Sequence, residues 1–177
     1  ERSNFDLYGH AGVALTLRGR LLDQNCEPVA NAQVLMWHAT PSPPGVQPAT
    51  PEADPSYEAA VYDHANQSGA MAPDGAPIPT GEQMYYGWVT TDAEGRYEFQ
   101  TLRPGWYLNG ATYRPAHLHF RIYVDGAERL TTQIYFPDDP FNDLDSILVN
   151  ACGEDACLME YDDPEGAEAT FDLHVAL

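Results

Sequence analysis

The chain has 177 residues and is 44% hydrophobic, enough for one domain with its own core. Against 27 Asp and Glu it carries 8 Arg and no Lys, a formal net charge of −19. A surface this acidic excludes nucleic acid and anionic membranes as partners, and it offers an anionic substrate no long-range steering. No apolar run approaches the ~20 residues that a membrane-spanning helix needs. Helical periodicity is scarce, whereas short β-type runs recur between turn signals, the pattern of a sandwich or barrel. In chain order the runs predict strands over residues 14–21, 32–38, 86–91, 97–102, 117–124 and 129–135, with a last strand over 168–175. Asp92-Ala93-Glu94-Gly95 and Val124-Asp125-Gly126-Ala127 read as hairpin turns in which Gly supplies positive φ. The expected fold is therefore all-β, a single antiparallel β-sandwich spanning residues 1–177 as one domain.

Two long irregular stretches interrupt the strands. Residues 40–55 hold six prolines, and residues 69–81 hold three prolines and three glycines. Loops of this length in a compact domain are functional or disordered. The first, leading towards Tyr62, is expected to wall one side of a substrate pocket. No internal repeat, heptad pattern or phosphate-binding Gly-rich loop occurs, so nucleotide binding has no support.

The most informative segment is Arg114-Pro115-Ala116-His117-Leu118-His119-Phe120. A strand repeats every two residues, so His117 and His119 share one face while Leu118 and Phe120 take the other. Two imidazoles roughly 7 Å apart along a strand can close on one metal ion. On the residues alone, a polar face of a half-exposed strand is an equally open reading. Three cysteines complete the inventory. Cys152 and Cys157 close a short loop that fits a disulfide in an oxidising compartment, which leaves Cys26 over. Their spacing, with no histidine nearby in sequence, argues against a zinc site.

Several blocks occur in an order that resembles the intradiol ring-cleavage dioxygenases, the family of the catechol 1,2- and protocatechuate 3,4-dioxygenases. They are Leu17-Arg18-Gly19-Arg20-Leu21-Leu22-Asp23, Pro28-Val29-Ala30-Asn31-Ala32-Gln33-Val34 and Trp37-His38, then Ala60-Val61-Tyr62-Asp63-His64. The run from Thr91 to Tyr107 is similar to the family's TD-x-x-G-x-Y-x-F-x-T-(I/L)-x-P-G-x-Y block. The segment from Arg114 to His119, and Thr132-Gln133-Ile134-Tyr135-Phe136, complete the series. Ala60 stands where the family has glycine, and the loop before Tyr62 is longer than usual.

The resemblance implies one non-haem Fe(III) per chain, held by Tyr62, Tyr107, His117 and His119, with a catechol-type diol and O2 as reactants and a cis,cis-muconate-type product. It implies that Tyr107 also takes a substrate proton, that Arg114 stabilises negative charge developing on the ring, and that Gln133 hydrogen-bonds a later intermediate. Ferric iron is a hard cation that favours anionic oxygen donors, which phenolates supply. Without the resemblance, Arg114 reads as a surface ion pair, and His64 as a loop histidine or a partner of the site. Tyr57 and Tyr113 lie outside the matching blocks. Tyr85, Tyr97, Tyr123, Tyr135, Trp37, Trp88 and Trp106 read as core or sheet residues, while His10, His38 and His174 have no role. The competing reading from another class is a non-catalytic β-sandwich binding module whose His pair is structural or holds zinc. A non-Met first residue, the Cys152–Cys157 pair and the lack of an N-terminal helical segment favour an exported protein over a cytoplasmic one. The sequence does not set the substrate, and it leaves a homo-oligomer open.

Overall fold

The computed structural model describes residues 1–5, 9–62, 85–151, 157–163 and 165–177. His64, the 69–81 loop and Cys152 lie outside the described residues. The described strands are β1 (Ala14–Asp23), β2 (Gln33–Trp37), β3 (Tyr86–Thr90), β4 (Arg96–Leu102), β5 (Leu108–Asn109), β6 (Thr112–Tyr113), β7 (His117–Val124), β8 (Ala127–Tyr135), β9 (Glu160–Tyr161), β10 (Glu168–Thr170) and β11 (Leu173–Val175). A 3-10 turn over Asn142–Leu144 and one short helix, α1 (Ser146–Ala151), follow β8.

Leu15, Leu17 and Leu21 alternate with Thr16, Arg18 and Arg20, so β1 buries its leucines on one face and exposes its arginines on the other. β4 repeats the pattern with Tyr97 and Phe99 inward and pairs antiparallel with β1, setting Arg18 opposite Glu98. On the other edge of β1, β10 and then β11 pair in parallel, and β9 extends the sheet beyond β10. The second sheet runs β3-β2-β7-β8, antiparallel throughout. The two sheets face each other over one core, where Phe120 of the second lies 6.1 Å from Tyr97 and 6.2 Å from Phe99 of the first, ring to ring. The all-β sandwich expected from the strand pattern is the fold observed.

Two expectations about the strands change. The last strand is two strands, because the chain steps at Phe171-Asp172. There the Phe171 carbonyl lies against Gly19 and accepts the Tyr97 hydroxyl at 2.6 Å, and Asp172 Oδ1 takes the Arg20 backbone N–H at 2.7 Å. A side chain thus replaces one ladder bond, and pairing with β1 resumes beyond it in the same register. The Asp92–Gly95 turn closes no hairpin; it carries the chain from β3 in the second sheet to β4 in the first. By contrast, Asp125 (φ 51°) and Gly126 (φ 76°) form the tight turn between β7 and β8, as the Asp-Gly pair predicts. Cys157 is disulfide-bonded, and Cys26 is free and exposed.

The 40–55 loop folds onto the β5–β6 hairpin. Glu52 bridges to Thr112, the Tyr113 N–H donates to the Pro51 carbonyl at 2.7 Å, and Tyr57, Trp106, Tyr113 and Phe141 form a small aromatic cluster beneath. Residues 42–47 line a cavity of about 320 Å3 with Arg103, Trp106 and Asp138 that includes none of the expected metal-site residues. The loop therefore buttresses the hairpin that follows Tyr107; the contacts described give it no wall of a pocket at that site.

A Cβ at Gly19 would overlap the Phe171 carbonyl, a backbone atom that cannot swing aside. Gly19→Ala should destabilise the protein by about 3 kcal/mol, read as a lowered denaturation midpoint. Unchanged stability would mean that the β10–β11 step relaxes freely.

Candidate metal centre

β7 sends Leu118, Phe120, Ile122 and Val124 into the sandwich core, so His117 and His119 project from the opposite face of the second sheet. In register on that face, β2 sets Trp37 opposite His119, and β8 sets Gln133 opposite His119 and Tyr135 opposite His117. Both histidines are buried, His117 to 3% and His119 to 6% exposure, so the half-exposed polar strand of the competing reading does not occur.

Tyr107 immediately precedes the β5–β6 hairpin. The chain returns so that the Arg114 backbone N–H donates to the Tyr107 carbonyl at 3.0 Å, which brings Arg114 beside it. Tyr62 arrives from the 40–62 segment. Its approach is held where the Thr40 N–H donates to the Val61 carbonyl, the Thr40 hydroxyl accepts the Val61 N–H, and the Ala60 N–H donates to the Trp106 carbonyl. The segments leading to the two tyrosines are thereby neighbours. Their rings stack at 4.4 Å, and the Tyr62 ring stacks on His119 at 5.0 Å. All four ligands implied by the resemblance meet here, with Arg114 and Gln133 beside them.

His117 Nδ1 lies 2.6 Å from the Pro115 carbonyl, which can only accept. The ring proton therefore sits on Nδ1, and Nε2 carries a lone pair. That Nε2 lies 3.1 Å from His119 Nε2 and 3.3 Å from the Tyr107 hydroxyl. Burial, reinforced by the Arg114 charge, pushes the His117 pKa down to about 3, so the ring is neutral at neutral pH. Burial pushes Tyr107 up to about 12 even though Arg114 opposes it.

Arg114 is internal. Nε donates to Asp145 Oδ2 at 2.6 Å, in an ion pair whose side chains are 8% and 3% exposed. Nη1 donates to the Tyr107 hydroxyl at 3.0 Å and faces His117 Nε2 at 3.1 Å; Nη2 donates to Gln133 Oε1 and to the Tyr135 hydroxyl, both at 2.8 Å. The surface ion pair is thus replaced by a buried one, and all five guanidinium N–H groups find acceptors. Tyr135, read from the sequence as a core residue, belongs to this network. Its hydroxyl donates to Gln133 Oε1 at 2.8 Å, and its ring lies 5.3 Å from that of His117.

Sequence reasoning missed four contributors. Trp37 stacks on His119 at 5.0 Å, and its indole N–H reaches the Tyr62 hydroxyl at 3.5 Å. Asp139 Oδ2 takes the Ala116 backbone N–H at 2.9 Å, which anchors the entry to β7. Asp145 and Tyr135 complete the set. Period-two alternation along β2 and β8 was a usable signal for Trp37 and Tyr135; nothing local marks the two acids. Tyr57 and Tyr113, the competing tyrosines, lie in the aromatic cluster under the 40–55 loop.

The donor set decides what the centre can hold. Among the described residues no group of three or more His, Cys, Asp or Glu comes together, so neither the sulfur-rich zinc set nor a two-histidine, one-carboxylate Fe(II) set is assembled. What converges is two imidazoles and two phenols, which as phenolates are hard anionic donors suited to Fe(III). Two ligand atoms bonded at ~2.1 Å to one ion stand about 3 Å apart, the spacing of the two histidine Nε2 atoms.

The family model described as "Dioxygenase" matches residues 59–175. The chain is 33% identical over 141 residues to the beta chain of protocatechuate 3,4-dioxygenase of Burkholderia cepacia, covering 77% of this chain and 50% of that one. It is 27% identical over 175 residues to the catechol 1,2-dioxygenase of Acinetobacter baylyi, covering 89% and 47%. The chain thus spans about half the length of these relatives. In fold it resembles an intradiol ring-cleavage dioxygenase from Tetranychus urticae, with a TM-score of 0.68, 21% identity, and coverage of 99% of this chain and 86% of that one.

Tyr107 is a phenol at neutral pH, so it can serve as an anionic ligand only by losing its proton to solvent as a metal enters. The sign follows: loading releases protons and tightens as pH rises, up to about tenfold per pH unit for each proton displaced. Adding Fe(III) to metal-free protein in weak buffer at pH 7 should release at least one proton per chain beyond the hydrolysis of the iron itself. Release that is unchanged in Tyr107→Phe would remove Tyr107 from the ligand set.

Proposed function

The chain belongs to the intradiol ring-cleavage dioxygenase family, and we propose that it holds one Fe(III) through Tyr62, Tyr107, His117 and His119 and uses O2 to cleave a catechol-type diol between its two oxygen-bearing carbons, to a cis,cis-muconate-type product. The gathering of two tyrosines and two buried histidines, with His117 Nε2 3.1 Å from His119 Nε2 and 3.3 Å from the Tyr107 hydroxyl and the Tyr62 ring stacked on Tyr107 and His119, carries this reading. Bound there, Fe(III) would act as a Lewis acid that chelates the diol as its dianion and leaves the ring reactive towards O2.

The chain's own residues do the rest. The diol must lose two protons to chelate. Tyr107 as phenolate would take one at its oxygen, and its raised pKa favours the phenol that results, while the second proton would pass to base in the solvent. The Arg114 Nη1 edge, 3.0 Å from that oxygen, would lie beside the oxygens of a bound diol and meet their negative charge. Gln133, fixed through Oε1 by Arg114 and Tyr135, keeps its amide N–H groups for an oxygen of substrate or product. Export to an oxidising compartment belongs to the same proposal, supported by the disulfide at Cys157.

The test is oxygen uptake across catechol, protocatechuate, hydroxyquinol and larger lignin-derived catechols, with iron content and visible absorption measured on the same protein. A burgundy, iron-loaded protein that cleaves at least one diol supports the reading. A colourless protein that retains zinc favours the binding module. Tyr62→Phe should bleach or shift the visible band and lower turnover by roughly 100-fold or more, since an anionic ligand is lost. Unchanged colour and rate would take Tyr62 out of the site.

A further inference from the structure

We propose that Asp145 is a positioning residue for the reaction: it aims the Arg114 guanidinium at the centre, and it acts through Arg114 alone. This rests on the proposed function. Arg114 is a long side chain that must present one edge in one direction. Four of its five acceptors are not carboxylates: the Tyr107 and Tyr135 oxygens, His117 Nε2 and Gln133 Oε1. Asp145 is the one carboxylate it meets, through Nε at 2.6 Å, with both side chains buried.

Asp145 is itself held. Its Oδ1 accepts the backbone N–H groups of Ile147 at 2.8 Å and Leu148 at 3.0 Å at the start of α1, while Oδ2 faces Arg114. The carboxylate therefore connects a rigid backbone turn to Nε, the end of the guanidinium that points away from the centre. The opposite end presents Nη1 to Tyr107 and His117. This arrangement matters most when a metal is bound. With Fe(III) held there, the His117 Nε2 lone pair would serve the metal, and the Nη1 hydrogen facing it would be left for the substrate. From then on the direction of that hydrogen is set by Asp145 behind it and by Gln133 and Tyr135 at its side. The ion pair also leaves no uncompensated cation buried beside the histidines.

A double-mutant cycle separates positioning from scaffolding. Asp145→Asn keeps an oxygen for the Ile147 and Leu148 N–H groups and removes the charge that orients Arg114. With iron content equal to wild type, it should lower kcat by roughly 10- to 100-fold with a smaller change in KM. In an Arg114→Ala background the same substitution should cost less than about twofold. The tyrosinate charge-transfer band is a second readout. Asp145→Asn and Arg114→Ala should shift it in the same direction, because each disturbs the bond from Nη1 to the Tyr107 oxygen, and the double variant should shift it no further than Arg114→Ala. Asp145→Ser, which keeps a helix cap, replaces the Asn variant if that one fails to fold. Losses that multiply in the double variant overturn the proposal, as do an unchanged kcat and band, or misfolding of both Asp145 variants when Arg114→Ala folds. Wild-type protein that is coloured but cleaves no diol overturns the proposed function alone, since the band still reports on Asp145.

Discussion

Everything at the candidate centre depends on one strand being buried on both faces. β7 must fill the sandwich core with Leu118, Phe120 and Ile122 and also support a second, polar layer through His117 and His119. A strand covered on both sides normally reads as a continuous apolar run. Here every other position of the first half is an imidazole, and burial is what gives those imidazoles their chemistry. It keeps His117 neutral, and the Pro115 carbonyl fixes its proton on Nδ1, so the Nε2 lone pair is presented inward. The core side chains do not touch the centre, but they set the height and direction of both rings.

The second constraint is electrostatic. A chain with net charge −19 places a guanidinium inside, against a carboxylate, next to two phenols and two imidazoles. The acidic exterior acts through water and salt and fades over ~8–10 Å. The interior cation acts at hydrogen-bond distance where screening is weak. Surface and site can thus carry opposite electrostatic characters. Among the other ion pairs, Arg18 with Glu98, Arg20 with Asp172 and Arg96 with Asp92 lie along an open cleft of about 750 Å3 that shares no residue with the centre.

The scaffold around the tyrosines explains why an unusually long loop is compatible with this centre. The 40–55 segment packs on the β5–β6 hairpin, and its base holds Val61 through Thr40, so the loop's length is taken up on the hairpin and not at Tyr62. Its prolines restrict φ and limit the entropy lost in holding that shape.

The positions of the longer strands β1 to β4, β7 and β8, the inward faces of β1, β4 and β7, the Asp125-Gly126 turn and the shared face of His117 and His119 were legible in the sequence, because each follows from a local two-residue period or from a residue's own φ preference, whereas the two-residue strands β5, β6 and β9 are too short to show a period. Tyr62, Tyr107, Arg114 and Gln133 were legible only through ordered blocks that resemble a family, since no local rule connects a tyrosine to a histidine far along the chain. What the tertiary structure alone decided is which distant groups meet: that the Asp92–Gly95 turn changes sheets, that Phe171-Asp172 breaks the last strand, that Tyr135 and Trp37 line the centre, and that Asp145 closes on Arg114 from a short helix. The physical reason is one of range. Periodicity and turn chemistry act over a few residues and are written into the order of side chains, whereas an ion pair or a shared ligand atom depends on where two sheets and a loop place their ends, and that is settled only when the core closes.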